Sequence, residues 1–370
     1  MKIYRSMKTV LGIVSTALAL WFLSVFAFGA ELPEQALSHV NPRVQGVMTV
    51  QEAVTPDLMS MPDVLGTAVG QDDSGELTIL VYVNLEGKNP AASARKIPRS
   101  LRGKNIIVEF TEPFRALRKP APVTKVSHTA KQTPPIQLGT SGGWRFDLAN
   151  GYCCGGTLGS LVQIGVAQYI LSNYHVFESD IVDGGNGTVA TTGDPIIQPG
   201  LIDVGCNASN AQTVATLVKS SSLPNSNFDA SIAQVVPVPE MVRSDGAILE
   251  IGTISSQTVA ASLNQAVKKS GRTTGLTRSK ISGLNGTVSV AYDDECAGDA
   301  AFTKTFTGQI IISNRASKFL AGGDSGSLMV QDVSTNPKAV GLLFAGSNTH
   351  AVANPIGDIL NFFGATMVGQ

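Results

Sequence analysis

The 370-residue chain has no excess of positive charge, no Cys-x-x-Cys pair, no closely spaced histidines and no repeat of fixed period. Each absence removes a class of function. A nucleic-acid partner calls for a basic face, yet 27 lysines and arginines stand against 28 acids. Residues 1–30 hold three basic and no acidic residues, so the rest of the chain has 24 against 28, a net of −4. Metal sites draw on Cys and His at short spacing, so no metal is expected. Without a repeat, solenoids and propellers are excluded. Long helical patterns are also scarce. With 38 glycines, 43% hydrophobic and only 15% charged residues, the composition favours short strands and turns in two or three domains.

The N-terminus reads as an export signal. Lys2, Arg5 and Lys8 precede an uncharged run over residues 9–28 that ends in Ala27-Phe28-Gly29-Ala30. Cleavage near residues 29–30 would give a secreted or periplasmic protein. The run is nearly long enough to span a bilayer, so an uncleaved anchor with the rest of the chain outside the cytoplasm stays open, and only then is a membrane a partner. All four cysteines, Cys153, Cys154, Cys206 and Cys296, follow the signal, which fits an oxidising compartment. A bridge between the adjacent pair would be strained. Cys206 and Cys296 are each expected to pair, with one another or with one of the vicinal two.

Residues 31–118 read as a small α/β module. An amphipathic helix is expected over Met48–Met61, kinked or interrupted at Pro56. A buried strand is expected over Glu76–Asn84, a second helix over Ala91–Leu101 and a second strand over Asn105–Phe110. From Arg95 to Lys131 ten basic residues face only Glu109 and Glu112; this is read as a solvated face running into a linker over 119–141, with an anionic partner as the rival. Residues 142–370 change to short β-rich runs between Gly, Asn, Asp and Ser, including Ile248–Ile254 and Ala339–Ala345. The fold class is mainly β, a barrel or sandwich.

The chemistry centres on Gly322-Gly-Asp-Ser-Gly-Ser327. Glycines on both sides let Ser325 present its hydroxyl at a tight bend, but a serine alone is a weak nucleophile and needs a base. Among four histidines, His39 and His128 lie in the N-terminal region and linker, and His350 follows the last strong strand in a polar loop. His175 closes the run Tyr169-Ile-Leu-Ser-Asn-Tyr, a stiff support for a general base. Asp229 opens an apolar strand, a poor place for an acid unless it has a partner.

In the order His175, Asp229, Ser325, these residues resemble the trypsin/chymotrypsin-like serine peptidases. Cys154-Gly-Gly-Thr-Leu, Ile170-Leu-Ser-Asn-Tyr-His175, Asp229-Ala-Ser-Ile-Ala, Gly323-Asp-Ser325-Gly and Val340-Gly-Leu-Leu-Phe-Ala-Gly346 each resemble a family motif, together covering about residues 150–360. Ser270-Gly-Arg-Thr-Thr-Gly275 is similar to the alpha-lytic and streptogrisin group. The whole chain, through Gly66-Thr-Ala-Val-Gly and Val81-Tyr-Val, also resembles exported peptidases that share features with the plant narrow-leaf protein. The resemblance implies a chymotrypsin-like double β-barrel behind the α/β module and an endopeptidase acting on polypeptide. In it Ser325 attacks, His175 moves the proton, Asp229 orients the imidazole, and the N–H groups of Gly323 and Ser325 form the oxyanion hole, with no cofactor.

Two departures follow. No Ile-Val-Gly-Gly start exists to supply a new N-terminus to Asp324, so the alpha-lytic resemblance implies Lys269 as its partner. Six residues before Ser325, where trypsin-like members hold an acid, stands Phe319; with Gly346 on the pocket wall, an apolar or small side chain is expected. An inactive peptidase-fold binding or scaffold protein, and an esterase with the same three residues, are the alternatives.

Overall fold

The computed structural model describes residues 36–116, 127–149, 152–178, 190–218, 223, 226–237, 240–292, 302–314 and 318–370. Residues 1–30, read above as an export signal, and Cys296 lie outside these. Helix α1 (Pro42–Met59) buries Val44, Val47, Gln51, Val54 and Leu58. Their spacing of three and four residues puts them on one face. Pro56 does not interrupt it as expected: the proline falls in the last turn, where its missing N–H removes a single bond, and the helix runs on to Met59. Strands β1 (Val64–Gln71) and β2 (Leu77–Asn84) are antiparallel. The short helix α2 (Pro90–Lys96) then crosses to β3 (Lys104–Thr111), parallel to β2. The two-residue strand β4 (Phe114–Arg115) follows.

The middle of the chain forms a curled eight-stranded sheet. In chain order its strands are β5 (Thr140–Trp144), β6 (Gly156–Leu158), β7 (Ser160–Ile164), β8 (Ala167–Ser172), β9 (Pro195–Gln198), β10 (Gln212–Val218), β11 (Ser231–Val235) and the C-terminal β18 (Thr366–Met367). β6 and β7 are one chain path broken at Gly159. β6 pairs with β5 and β7 with β8, so the order β8-β11-β10-β9-β5 returns on itself and closes the barrel. A one-turn helix α3 (Tyr174–Phe177) follows β8.

A second curled sheet begins with β12 (Ala266–Gly271), β13 (Gly275–Tyr292) and β14 (Phe302–Ser313), and ends with β15 (Leu328–Gln331), β16 (Ala339–Gly346) and β17 (His350–Pro355). The order β12-β15-β16-β17-β14-β13 is closed by a further β12–β13 pairing. The fold is therefore a chymotrypsin-like double β-barrel. β13 is 18 residues long, three times a usual strand. Its outer part pairs with β1, so the N-terminal strands continue the second barrel's sheet. The α1 face shares one hydrophobic cluster with β1, β2, Ile281, Ile310 and Phe319. Residues 36–370 form one compact unit.

Local readings changed in two places. Ile248–Ile254 is a turn rather than a strand, because Glu250 (φ 64°) and Gly252 (φ 87°) take left-handed backbone. His350 opens β17 rather than lying in a loop. Within the linker region the described part is packed. Ile136 and Leu138 are fully buried, and His128 bonds the Gly139 carbonyl (2.8 Å) and Glu250 (2.7 Å). Cys206 pairs with Cys153, one of the pairings left open above, and Cys154 is also disulfide-bonded. Among the described residues no helix is long and apolar enough to cross a membrane.

Candidate functional site

His175 sits in the first turn of α3, just past the end of β8, and Asp229 lies two residues before β11, the strand that pairs with β8. That pairing brings the two together: His175 Nδ1 is 2.5 Å from Asp229 Oδ2, and the His175 N–H donates to Oδ1 at 3.2 Å. Both side chains are fully buried. A carboxylate there is tolerable only when its oxygens are bonded, and a third donor, the Tyr292 hydroxyl, reaches Oδ2 at 2.8 Å. The backbone of Asp229 is held as well. Its N–H donates to Asn354 Oδ1 (3.1 Å), and its carbonyl accepts from Asn173 Nδ2 (2.6 Å). An ionised carboxylate only accepts, so Nδ1 carries the proton of the neutral ring and Nε2 keeps its lone pair. Nε2 is buried and has no hydrogen-bond partner among the described residues.

Ser325 is held from the second barrel. Gly326 N–H donates to Leu343 O (2.9 Å) and Leu343 N–H to Ser327 O (3.0 Å), which fastens the turn to β16. Ser325 Oγ lies 3.4 Å from Phe344 O. From the first barrel, Thr157 N–H donates to Ser325 O at 2.9 Å. Two glycines allow this approach. A Cβ on Gly159 would sit 2.0 Å from Gly326 O, and one on Gly156 would sit 2.6 Å from Val176 Cγ2 and 3.0 Å from Ser325 O. The residue after His175 and the serine backbone thus meet across Gly156. Gly323 and Gly326 both have φ of 91°, a conformation that favours glycine. The N–H groups of Asp324, Gly326 and Ser327 are all bonded within the turn and β16, whereas that of Gly323 has no acceptor among the described residues.

Asp324 anchors the turn. Lys269 Nζ, on β12, is 3.0 Å from Asp324 Oδ2, with both side chains fully buried. The remaining lone pairs of Asp324 accept from Thr273 N (2.9 Å), Thr274 N (3.1 Å), Thr274 Oγ1 (2.6 Å) and Ala321 N (3.0 Å). Burial pushes the Lys269 ammonium below its ordinary range, opposed by the Asp324 charge. Arg272 adds a second tie, with Nε 2.8 Å and Nη2 2.5 Å from the Asp203 carboxylate. Thr273 Oγ1 holds Gly322 O at 2.6 Å.

The structure thus brings His175 and Asp229 into contact and places Lys269 on Asp324, in the turn that carries Gly323 and Ser325. Phe319 lies elsewhere. It is fully buried in the cluster shared with α1, and the side chain standing at Gly346 is Leu320, whose Cδ2 would be 3.0 Å from a Cβ there. Asn314 links this wall, donating to Leu320 O (3.2 Å) and Ser347 O (2.7 Å). Among the described residues no three His, Cys, Asp or Glu are placed to hold a metal ion.

Sequence reasoning missed Tyr292, Arg272 and the two threonines beside it. The last three lie in the quoted Ser270–Gly275 stretch and could have been found there. Tyr292 belongs to no motif. Replacing it with Phe keeps the ring packed against His175, 6.1 Å between centroids, but removes a donor to an ionised carboxylate, worth about 1.5–3 kcal/mol. Turnover on a peptide ester is expected to fall roughly tenfold or more with KM little changed. Turnover equal to that of wild type would reduce Tyr292 to packing.

Residues 212–354 match the family model described as the Nal1 C-terminal domain. None of the curated proteins matches the chain. Among solved structures it is similar to a glutamic acid-specific serine protease at 18% identity, covering 63% of this chain and 100% of that one, with a TM-score of 0.42. It is also similar to Thermobifida fusca protease A (20% identity, 64% and 99% covered, TM-score 0.42). A third is the Cellulomonas bogoriensis chymotrypsin (20% identity, 64% and 99% covered, TM-score 0.38).

Proposed function

We propose that this chain is an exported serine endopeptidase that hydrolyses peptide bonds through an acyl-enzyme. The observation that carries the reading is the buried His175–Asp229 pair, which leaves the Nε2 lone pair unbonded among the described residues while the turn bearing Ser325 is fastened to β16. Ser325 Oγ attacks the acyl carbonyl as its proton passes to His175 Nε2. The same proton then goes to the leaving amine, and water repeats the sequence to release the acid. Asp229 holds the tautomer and stabilises the imidazolium. The Gly323 and Ser325 N–H groups would receive the oxyanion, each such donor being worth about 100- to 1000-fold in turnover. Lys269 and Asp324 keep the turn in place.

Leu320 and Gly346 offer no charge at the pocket wall, which favours a small or apolar side chain. Export fits the N-terminal segment and the Cys153–Cys206 disulfide. The module over 31–118 and the domain over 142–370 would act together, since β1 pairs with β13.

A fluorophosphonate probe tests the reading. Over several hours it should label wild type to one per chain and leave Ser325→Ala unlabelled. Folded wild type that never reacts would instead favour an inactive binding protein, and a labelled chain that cleaves esters but no peptide would favour an esterase.

A further inference from the structure

β16 has two edges, and the chain itself fills both. One pairs with β17 as far as Gly346, which lies opposite Ala351. The other pairs with β15 from Ala339 to Leu342. The Ser325 turn then takes Leu343 through two backbone bonds, and Ser325 Oγ reaches Phe344 O. Beyond this, at Gly346, the same edge is taken by Arg115 of β4, running antiparallel. Serine and β4 therefore share one lane. A peptide adding to this edge as a strand would place one residue opposite Gly346 and, two residues on, another opposite Phe344 beside Ser325. Arg115 occupies the first of those positions.

The strand is well held there. β4 also pairs in parallel with Val290 and Ala291 of β13, and Ala116 N–H donates to Ala291 O at 3.2 Å. Phe114 is fully buried, its ring 5.6 Å from Tyr82 and 6.4 Å from His350. Phe114 and Ala116 share a cluster with Tyr292, Phe344 and Ala345, so apolar side chains cover the face where substrate would lie. Consistent with that cover, His175 is 0% and Ser325 1% exposed.

We propose that residues 114–116 are a built-in occupant of the substrate lane, holding the full chain latent until they are displaced. The inference rests on the hydrolase reading, since only then is the lane a substrate lane. β4 is tied by strand pairing to β13 and β16 of the second barrel and by the Phe114 ring to Tyr82 of β2, so release requires both pairings and that contact to open. Latency is thereby coupled to the seating of the module.

The test compares fluorophosphonate labelling rates of the full chain with those of Phe114→Ala and Arg115→Pro. The proline removes the strand's N–H at the paired position while leaving Phe114 in place, so failure of the first variant to fold does not remove the test. Labelling at Ser325 should speed up at least tenfold, and excess acetylated, amidated pentapeptide of residues 112–116 should slow it again. Equal rates in all three chains overturn the proposal and leave the hydrolase reading standing. If no chain is labelled, the hydrolase reading fails and hydrogen exchange over residues 344–347 decides the occupancy. Exchange that is slow in wild type, fast in Arg115→Pro and slowed by the pentapeptide supports it, and equal exchange in both chains sinks it.

Discussion

Replacing Asp229 with Asn is expected to lower turnover by about 10⁴-fold while the chain stays folded. The reason is tautomeric. The carboxylate accepts from His175 Nδ1, from the His175 N–H and from Tyr292. An amide of the same shape presents one acceptor and one donor. If its oxygen takes the Oδ1 position and keeps the backbone N–H, its NH₂ takes the Oδ2 position and faces both Nδ1 and the Tyr292 hydroxyl. The ring must then accept at Nδ1 and carry its proton on Nε2, where it can no longer take the proton from Ser325. No strand pairing depends on the lost charge, so near-ultraviolet circular dichroism should be retained. Burst kinetics on an activated ester measure the acylation step directly. Acylation within tenfold of wild type would mean that His175 is not the base.

The second large effect concerns stability. Asp324→Asn leaves the Lys269 ammonium fully buried without its counter-charge, and breaking such a pair costs about 3–5 kcal/mol. The urea midpoint should fall accordingly. Labelling at Ser325 should also be lost, because Asp324 precedes the nucleophile and gathers three backbone N–H groups around the turn. Lys269→Met alone should cost a similar amount by leaving a buried carboxylate unpaired. The double variant is expected to recover a substantial part of the stability, since neither charge is then stranded. If the two single effects simply add in the double variant, the pair is not coupled and the turn is held by its other bonds, from Thr273, Thr274 and Ala321 and to Leu343.

Much of the site could be read from the chain because its residues sit in contiguous motifs. Gly323-Asp-Ser-Gly, the strand leading to His175, and Asp229 opening a strand each carry a local pattern. The fold class followed from short β runs and the same motifs, and the double barrel agrees with it. Tyr292 was not legible: 63 residues separate it from Asp229, and its place on the buried face of β13 looks like any other alternating strand position. The turn at Ile248–Ile254 was misread because its apolar residues resemble a strand, while the left-handed backbone at Glu250 has no glycine to announce it. Phe319 was assigned by counting back from Ser325. Such counting fixes a position along the loop and not the direction of a side chain, and the wall at Gly346 is made by its neighbour Leu320.

The reach of β13 has a consequence for how the molecule comes into being. Gly66 pairs with Val288, so an early strand waits for a partner synthesised more than 200 residues later. Contacts of such long range slow folding, and until they form β1 offers an unpaired edge to any neighbouring chain. During synthesis this edge is open to aggregation, and a chaperone that shields extended strands would act there. Once β13 arrives, the N-terminal strands and the second barrel are joined through a single sheet.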